Sequence, residues 1–254
     1  MMIASAWSLM RGMIPLARCG GTGNEAIPAS PRRGGAMKIG IIGAGHIGGT
    51  LTRRLRALGH DVSVANSRGP QTLAALASET GAHAVTVAEA AKDKDLVVVT
   101  IPEKSIPELP KSLFAAARPE TVVVDTGNYY PQRDGRIAAI EGGTTESRWV
   151  SQQLGRPVIK AFNTIHAQHL LENGRPRGAP NRIALPVAGD DPKAKAVVMK
   201  LIDDLGFDAV DAGSLDESWR QQPGTPVYGA DLDATRAKRA LADAPRERPV
   251  TFRA

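Results

Sequence analysis

A single cysteine, Cys19, excludes an internal disulfide and any cysteine-rich metal site. No apolar run reaches the roughly 18 residues that a membrane-spanning helix needs, so no membrane partner is expected. No internal repeat is visible. The body of the chain also lacks a basic face. The net charge of +6 sits at the two ends. Arg11, Arg18, Arg32 and Arg33 against Glu25 give residues 1–36 a charge of +3, and residues 236–254 carry +4. The remainder, residues 37–235, is therefore at −1. Nucleic-acid binding requires basicity on the folded body, so no nucleic-acid partner is expected. The basic end reads as a solvated terminus.

What is present is the composition of an ordinary globular protein, 42% hydrophobic and 23% charged. Residues 1–36 read differently from the rest. Met1–Leu16 is apolar and broken by Arg11, and the next stretch has turn and linker composition. The positive start of a secretory signal is absent, whereas arginine and serine with scarce acids leave an organelle-targeting segment open. The favoured expectation is that folding starts at Met37, with residues 1–36 a disordered or mis-assigned extension.

From Met37 strands and helices alternate. Lys38–Ile42 is a short apolar run ending in a glycine turn. Behind it Ile47, Leu51, Leu55 and Leu58 mark one helix face. Val62–Ala65 and His83–Thr86 continue as strands, and Thr86-Val-Ala-Glu89 has the capping-box pattern of a helix start. Asp95–Ile101, stopped by Pro102, and Thr121–Asp125 are the strongest strands. Pro157–Phe162, Ile183–Val187 and Phe207–Asp211 are weaker ones. Between the last two, Asp190-Asp-Pro192 opens a helix that Gly206 closes. The pattern predicts an α/β Rossmann-type, doubly wound parallel sheet with a small C-terminal extension.

Gly43-Ala-Gly45-His-Ile-Gly48 joins the first strand to the first helix, the context in which a glycine-rich turn is informative. Gly43 permits the tight turn, Gly45 a close backbone approach to a pyrophosphate, and Gly48 close packing of helix on strand. The amides of Ala44 to Ile47 would face phosphates at a positive helix end. The alternative is a glycine turn without a ligand. Where an NAD site places a carboxylate, at the end of the second strand, this chain has Asn66-Ser67-Arg68. Arg68 can pair with a 2′-phosphate and Ser67 can donate to it, so NADP(H) is the expected cofactor. The division expected is a NADP-binding domain at 37–155, a smaller α/β portion at 156–230 completing a substrate cleft, and a basic tail at 231–254.

M-K-I-G-I-I-G-A-G-H-I-G-G, N-S-R-G-P, V-V-V-T-I-P and K-A-F-N-T-I, in that order, resemble the NADP-dependent reductases of the deazaflavin coenzyme F420 type. The fold is also similar to the cytoplasmic reductase domain of the six-transmembrane metalloreductases. D-T-G-N-Y-Y-P and S-W-R-Q-Q-P-G-T-P-V-Y-G look like the family's bacterial branch, whose electron acceptors are largely unsettled. The resemblance implies a cytoplasmic NADP-dependent oxidoreductase. It places Ala44, Gly45, His46 and Ile47 on the pyrophosphate, and Ser67 and Arg68 on the 2′-phosphate. Thr100, Ile101 and Pro102 fall beside the two halves of the dinucleotide, and Ala161 near the nicotinamide. Where family members often carry a lysine after the Ser-Arg pair, this chain has Gln71 and Thr72.

Ligands of such sheets bind beyond the carboxyl ends of the strands. That nominates Asn128, Tyr129 and Tyr130 after the fifth strand, and Asn163, Thr164 and His166 after the sixth, for a small-molecule electron acceptor. Either tyrosine could stack on a planar acceptor or simply pack. No catalytic residue is assigned beyond His166 as a weak candidate for protonating a product. His166 and His169 share a helix face without nearby carboxylates, so no metal is expected. Trp219 is expected to anchor the C-terminal segment or to close the cleft. A homodimer is the expected assembly if any forms. Two alternatives stay open: an imine or carbonyl reductase, which would want a large helical C-terminal domain, and a non-catalytic NADP(H)-sensing module.

Overall fold

A computed structural model describes residues 35–254. The expectations for the N-terminal extension lie outside the described residues, apart from its last two positions. Six strands form one parallel sheet: β1 (Lys38–Ile42), β2 (Asp61–Ala65), β3 (His83–Ala84), β4 (Leu96–Val99), β5 (Val122–Asp125) and β6 (Ile159–Lys160), in the order β3-β2-β1-β4-β5-β6. This is the strand order of the doubly wound dinucleotide-binding fold, with its switch point between β1 and β4. A second parallel pair, β7 (Ala184–Val187) and β8 (Asp208–Asp211), is joined to β6 through an antiparallel bridge between Lys160 and Ala188.

The side-chain alternation of the strands explains both the valine runs and the layering. On β1, Ile39 and Ile41 enter one core and Ile42 the other. On β4, Leu96 and Val98 oppose Val97 and Val99. Both faces are covered, so both registers are apolar. The first core is closed by α1 (His46–Ala57), which packs on α2 (Ala74–Thr80) and contributes Leu51 and Leu55. On the opposite face lies α3 (Val87–Ala91). A side chain at Gly40 of β1 would strike the Ala90 carbonyl oxygen at 1.7 Å, so glycine there sets how closely α3 approaches. After the short α4 (Pro131–Asp134), that second face is completed by α5 (Ala138–Glu141) and α6 (Glu146–Leu154), with Ile140, Trp149 and Val150 buried. Returning to the first face, α7 (Ala167–Glu172) and α8 (Pro192–Asp204) add Leu170, Val198, Leu201 and Ile202.

The helix starts read from the sequence are observed. Thr86 and Glu89 form the reciprocal capping box of α3, and the Asp191 side chain accepts from the Lys193 and Ala194 amides at the start of α8. Most strands are shorter than expected, two of them for evident local reasons. His83–Thr86 stops at Ala84 because Thr86 serves as a helix cap. Pro157–Phe162 shrinks to Ile159–Lys160 because Phe162 turns into the left-handed region at φ +62°.

The end of the chain differs from expectation. It is not a solvated terminus: α9 (Ala234–Ala242) lays Ala237, Ala240 and Leu241 against Ala184 and Val210 of β7 and β8, forming a third core. Its basic side chains occupy the outer face, so a helix that looks like a charged tail in composition is amphipathic in space. Among the described residues no helix is long and apolar enough to cross a membrane.

Candidate nucleotide and acceptor site

The switch point between β1 and β4 is built around the three glycines. Gly43 turns the chain at φ +108°, and its N–H donates to the Ala65 carbonyl at 2.8 Å. A Cβ at Gly43 would lie 2.2 Å from the Thr100 carbonyl oxygen, and one at Gly48 would lie 1.9 Å from that of Gly43. Those two positions are closed by packing. Gly45 is open: a Cβ there would meet nothing within 4 Å. Gly45 caps α1 without a side-chain hydrogen bond, and the first turn of the helix holds no acid. The first-turn N–H groups therefore have no intrahelical acceptor at the positive end of a helix. Gly45 and His46 are exposed and Ala44 and Ile47 half-buried, so the cradle is accessible and fits a pyrophosphate.

At the tip of β2, the Arg68 amide donates to the Asn66 side-chain oxygen at 3.0 Å, and Asn66 Nδ2 donates to Thr72 Oγ1 at 2.9 Å. Gln71 Nε2 donates back to the Arg68 carbonyl at 3.2 Å. Gln71 and Thr72 thus hold the turn itself. Ser67 and Arg68 are left exposed, and no carboxylate among the described residues pairs with Arg68. The chemistry of this corner suits a 2′-phosphate.

Toward β5 and β6 the expected residues separate. Thr100, Ile101 and Pro102 are half-buried at the end of β4, with the Thr100 amide donating to Ile42 O at 2.9 Å. Tyr129 is fully buried. Its hydroxyl donates to Gly135 O at 3.0 Å and accepts from the Ile137 amide at 3.2 Å, so it packs and does not stack on an acceptor. Tyr130 is half-buried, its hydroxyl paired with that of Tyr228. Asn163 is buried and engaged: its Nδ2 donates to Asn128 Oδ1 at 3.0 Å and to Gln221 O at 2.7 Å, and its Oδ1 accepts from Gln221 at 2.9 Å. Thr164 is buried, and its carbonyl accepts from the Gly229 amide at 2.9 Å. The side chain of Ala161 is fully buried in the first core, which removes it as a side-chain contact to a nicotinamide.

His166 is exposed where α7 begins. α7 runs along α1, with Thr50 Oγ1 donating to Ala167 O at 3.4 Å and Arg54 to Leu171 O at 2.9 Å, so His166 sits at the same end as the glycine cradle. His169 has a carboxylate beside it after all, Asp231 at 2.5 Å, which the chain brings in from its C-terminal part. Among the described residues no three His, Cys, Asp or Glu side chains are grouped to hold a metal ion. Trp219 lies between the guanidinium groups of Arg220 and Arg246, at 4.5 and 5.6 Å, on the rim of a polar cavity of about 650 Å³. That cavity is walled by α5, α6 and the chain end and includes no cradle residue, so Trp219 anchors the C-terminal segment and does not close the cleft.

Residues 38–129 match the family model described as NADP oxidoreductase, coenzyme F420-dependent. In structure the chain is similar to the hypothetical protein SMa0349 of Sinorhizobium meliloti, at 31% identity and a TM-score of 0.66, over 76% of this chain and 93% of that one. The chain belongs to the coenzyme F420-dependent NADP oxidoreductase family. It is also similar to a protein of Arthrobacter sp. FB24 assigned as an F420-dependent NADP-reductase, at 26% identity and a TM-score of 0.57, over 70% of this chain and 86% of that one. A third relative, the protein YjhV of Escherichia coli (strain K12), is 52% identical over 69 residues, which is 27% of this chain and 50% of YjhV. The match therefore spans half the length of that curated relative. Cradle and Arg68 corner lie inside the family match; β6 and all that follows lie beyond it.

The chain also holds a group of buried charges that the sequence reading passed over. Lys160, Asp125, Glu146 and Glu103 are each no more than 3% exposed, at the carboxyl ends of β4, β5 and β6 and the start of α6. Lys160 Nζ donates to Asp125 Oδ2 at 3.1 Å and to Gly127 O at 2.5 Å, and lies 3.9 Å from Glu146. Ser147 donates to Asp125 at 2.6 Å, and Arg248 from the chain end donates to Glu146 at 2.8 Å. Burial pulls the Lys160 ammonium down, but Asp125, Glu146 and Glu103 together outweigh it and its pKa is raised. Burial, then the Asp125 charge, pushes the Glu103 carboxyl well above the usual range. The signal was present: a lysine inside an apolar strand and an aspartate closing a valine run are buried unless the strands are not.

Proposed function

We propose that this oxidoreductase moves hydride between NADPH and a planar small-molecule acceptor of the deazaflavin or flavin class. The observation that supports the nucleotide half is the pairing of an uncapped, acid-free helix start at Gly45 with the exposed Arg68 at the tip of β2, which pairs with no carboxylate among the described residues. Bound NADPH would supply the hydride at its nicotinamide ring. The chain's part is to bind and align. The N–H groups from Ala44 to Ile47 hold the pyrophosphate, and Ser67 and Arg68 hold the 2′-phosphate. Thr100, Ile101 and Pro102 border the path of the dinucleotide toward the C-terminal edge of β4. Alignment and exclusion of water are the main demands of direct hydride transfer. On the acceptor side, Asn128, Tyr130 and His166 remain accessible, whereas Tyr129, Asn163, Thr164 and Ala161 act through packing and hydrogen bonds that shape the floor. The acceptor class comes from the family and from the relative in Arthrobacter sp. FB24. No observation favours the imine-reductase or sensing alternatives.

The test is a titration of the protein with NADPH and NADH, followed by nicotinamide fluorescence, in wild type and Arg68→Ala. Loss of a hydrogen-bonded charge pair should weaken NADPH by about 10- to 100-fold, near 1.5–3 kcal/mol, and leave NADH unchanged. Equal affinity of wild type for the two nucleotides would overturn the 2′-phosphate assignment. NADPH oxidation screened first against deazaflavins and then flavins tests the acceptor.

A further inference from the structure

Glu103 is the one fully buried carboxylate whose two oxygens both lack a hydrogen-bond partner among the described residues. It follows Pro102 directly, so it belongs to the loop after β4. Its head reaches the loop after β5. A Cβ on Gly127 would lie 2.6 Å from Glu103 Oε1 and 3.0 Å from Asp125 Oδ1, so two acidic heads converge on the space left by one glycine. Asp125 is already fixed by Lys160, Ser147 and the Gly127 amide. The groups facing Glu103 can be counted. Asp125 comes from β5, Lys160 from β6, Glu146 from α6, Arg133 and Asp134 from α4, and Arg248, through Glu146, from the chain end. Arg133 and Asp134 pair with each other at 2.8 Å. Within the remaining set two cations, Lys160 and Arg248, are matched by two carboxylates, Asp125 and Glu146. A third buried carboxylate has no counter-charge, and an uncompensated ion at such a site is strongly disfavoured.

We propose that Glu103 works as a neutral carboxylic acid, a positioning residue wedged between the β4 and β5 loops, which fixes residues 126–130 at the acceptor side of the cleft. The consequence for turnover rests on the cleft assigned above; the proton on Glu103 does not. With the proton in place the cluster is electrically balanced and Gly127 can sit against the acid head. Removing it puts two like charges on either side of Gly127 and pushes the β5 loop away. Loss of the proton at alkaline pH therefore opens the loop that carries Asn128 and Tyr130. The upward shift of Glu103 by burial and by Asp125 agrees in direction.

The experiment needs no acceptor and no nucleotide. Glu103→Gln reproduces the neutral head, and unfolding is followed for wild type and variant from about pH 5 to about pH 9. An acid whose folded pKa is raised stabilises most below its unfolded value, about 4.3, and that contribution is lost as pH rises toward the folded value. The folded-to-unfolded ratio of wild type should thus fall relative to Glu103→Gln, by up to about tenfold per pH unit. In parallel, amide hydrogen exchange, corrected for its intrinsic pH dependence, should show residues 126–130 losing protection at high pH in wild type and keeping it in the variant. Parallel unfolding curves, or equal protection in both proteins, would overturn the proposal. If Glu103→Gln does not fold, the infrared carboxyl C=O band of wild type decides. A neutral-acid band at neutral pH that disappears on alkaline titration, together with the loss of 126–130 protection, supports the proposal; a carboxylate at all pH values sinks it.

Discussion

The three glycines of the β1–α1 turn have different physical reasons, and substitution separates them. Gly48→Ala forces a Cβ to 1.9 Å from a backbone oxygen that cannot move without displacing β1. It should destabilise by about 2 kcal/mol or more, as overpacking at backbone does. Gly45→Ala meets nothing in the free protein, so denaturation should place it within about 0.5 kcal/mol of wild type. Its methyl would point into the space proposed for the pyrophosphate, so nucleotide affinity should fall while stability holds. A Gly45→Ala protein that binds NADPH as wild type does would show that the phosphates lie elsewhere. At this scale the sequence was informative where chemistry follows from residue type and local order: the glycine turn, and the absence of acid beside Arg68. It was silent where burial decides. Tyr129 and Tyr130 are adjacent and identical in composition, yet one closes a core and the other is half-buried against Tyr228 and Phe252, and only the path of the loop determines which. The left-handed backbone of Phe162 has no sequence signature at all.

At the level of elements, the strands of the first half were legible because a doubly covered parallel strand must be apolar in both registers, and Val97-Val-Val99 and Val122-Val-Val124 are. The C-terminal helix was not, because its apolar face consists of alanines and one leucine among arginines and reads as charge. Its burial gives a direct test of the packing. Leu241→Ala removes a nearly buried side chain from the core shared with β7 and β8, and urea denaturation should show a loss of about 2–4 kcal/mol. Lys238→Ala, on the exposed face of the same helix, should fall within about 0.5 kcal/mol. If Leu241→Ala were as silent as Lys238→Ala, the segment would be a tail resting on the surface, as its composition suggested.

Across the whole molecule, one arginine ties the chain end to a buried carboxylate. Arg248 donates to Glu146 at 2.8 Å and to Gln222 at 3.0 Å, and its guanidinium stands 5.2 Å from the Tyr129 ring. It thereby joins α6, the segment that holds Asn163, and the core beneath the β5 loop. Five residues later Arg253 pairs with Glu247 at 2.6 Å, with side chains 40% and 81% exposed. The two contacts have similar lengths and should have very different energetic weight. Exposed pairs contribute about 0–1 kcal/mol, so Arg253→Ala should be close to neutral. Arg248→Ala leaves the buried Glu146 with only the longer contact to Lys160, and removing one partner of a buried pair costs about 3–5 kcal/mol. The charge count around Glu103 adds a second expectation for the same variant. Without Arg248 the cluster holds three carboxylates and one cation, so its tendency to take up protons must rise, and the alkaline loss of stability should steepen relative to wild type. Chemical denaturation of both variants at neutral and alkaline pH measures this directly. Equal losses for Arg248→Ala and Arg253→Ala would mean that the chain end merely rests on the domain. A large loss for Arg248→Ala that grows with pH would mean that the last residues of the chain help to set the charge balance beneath the cleft.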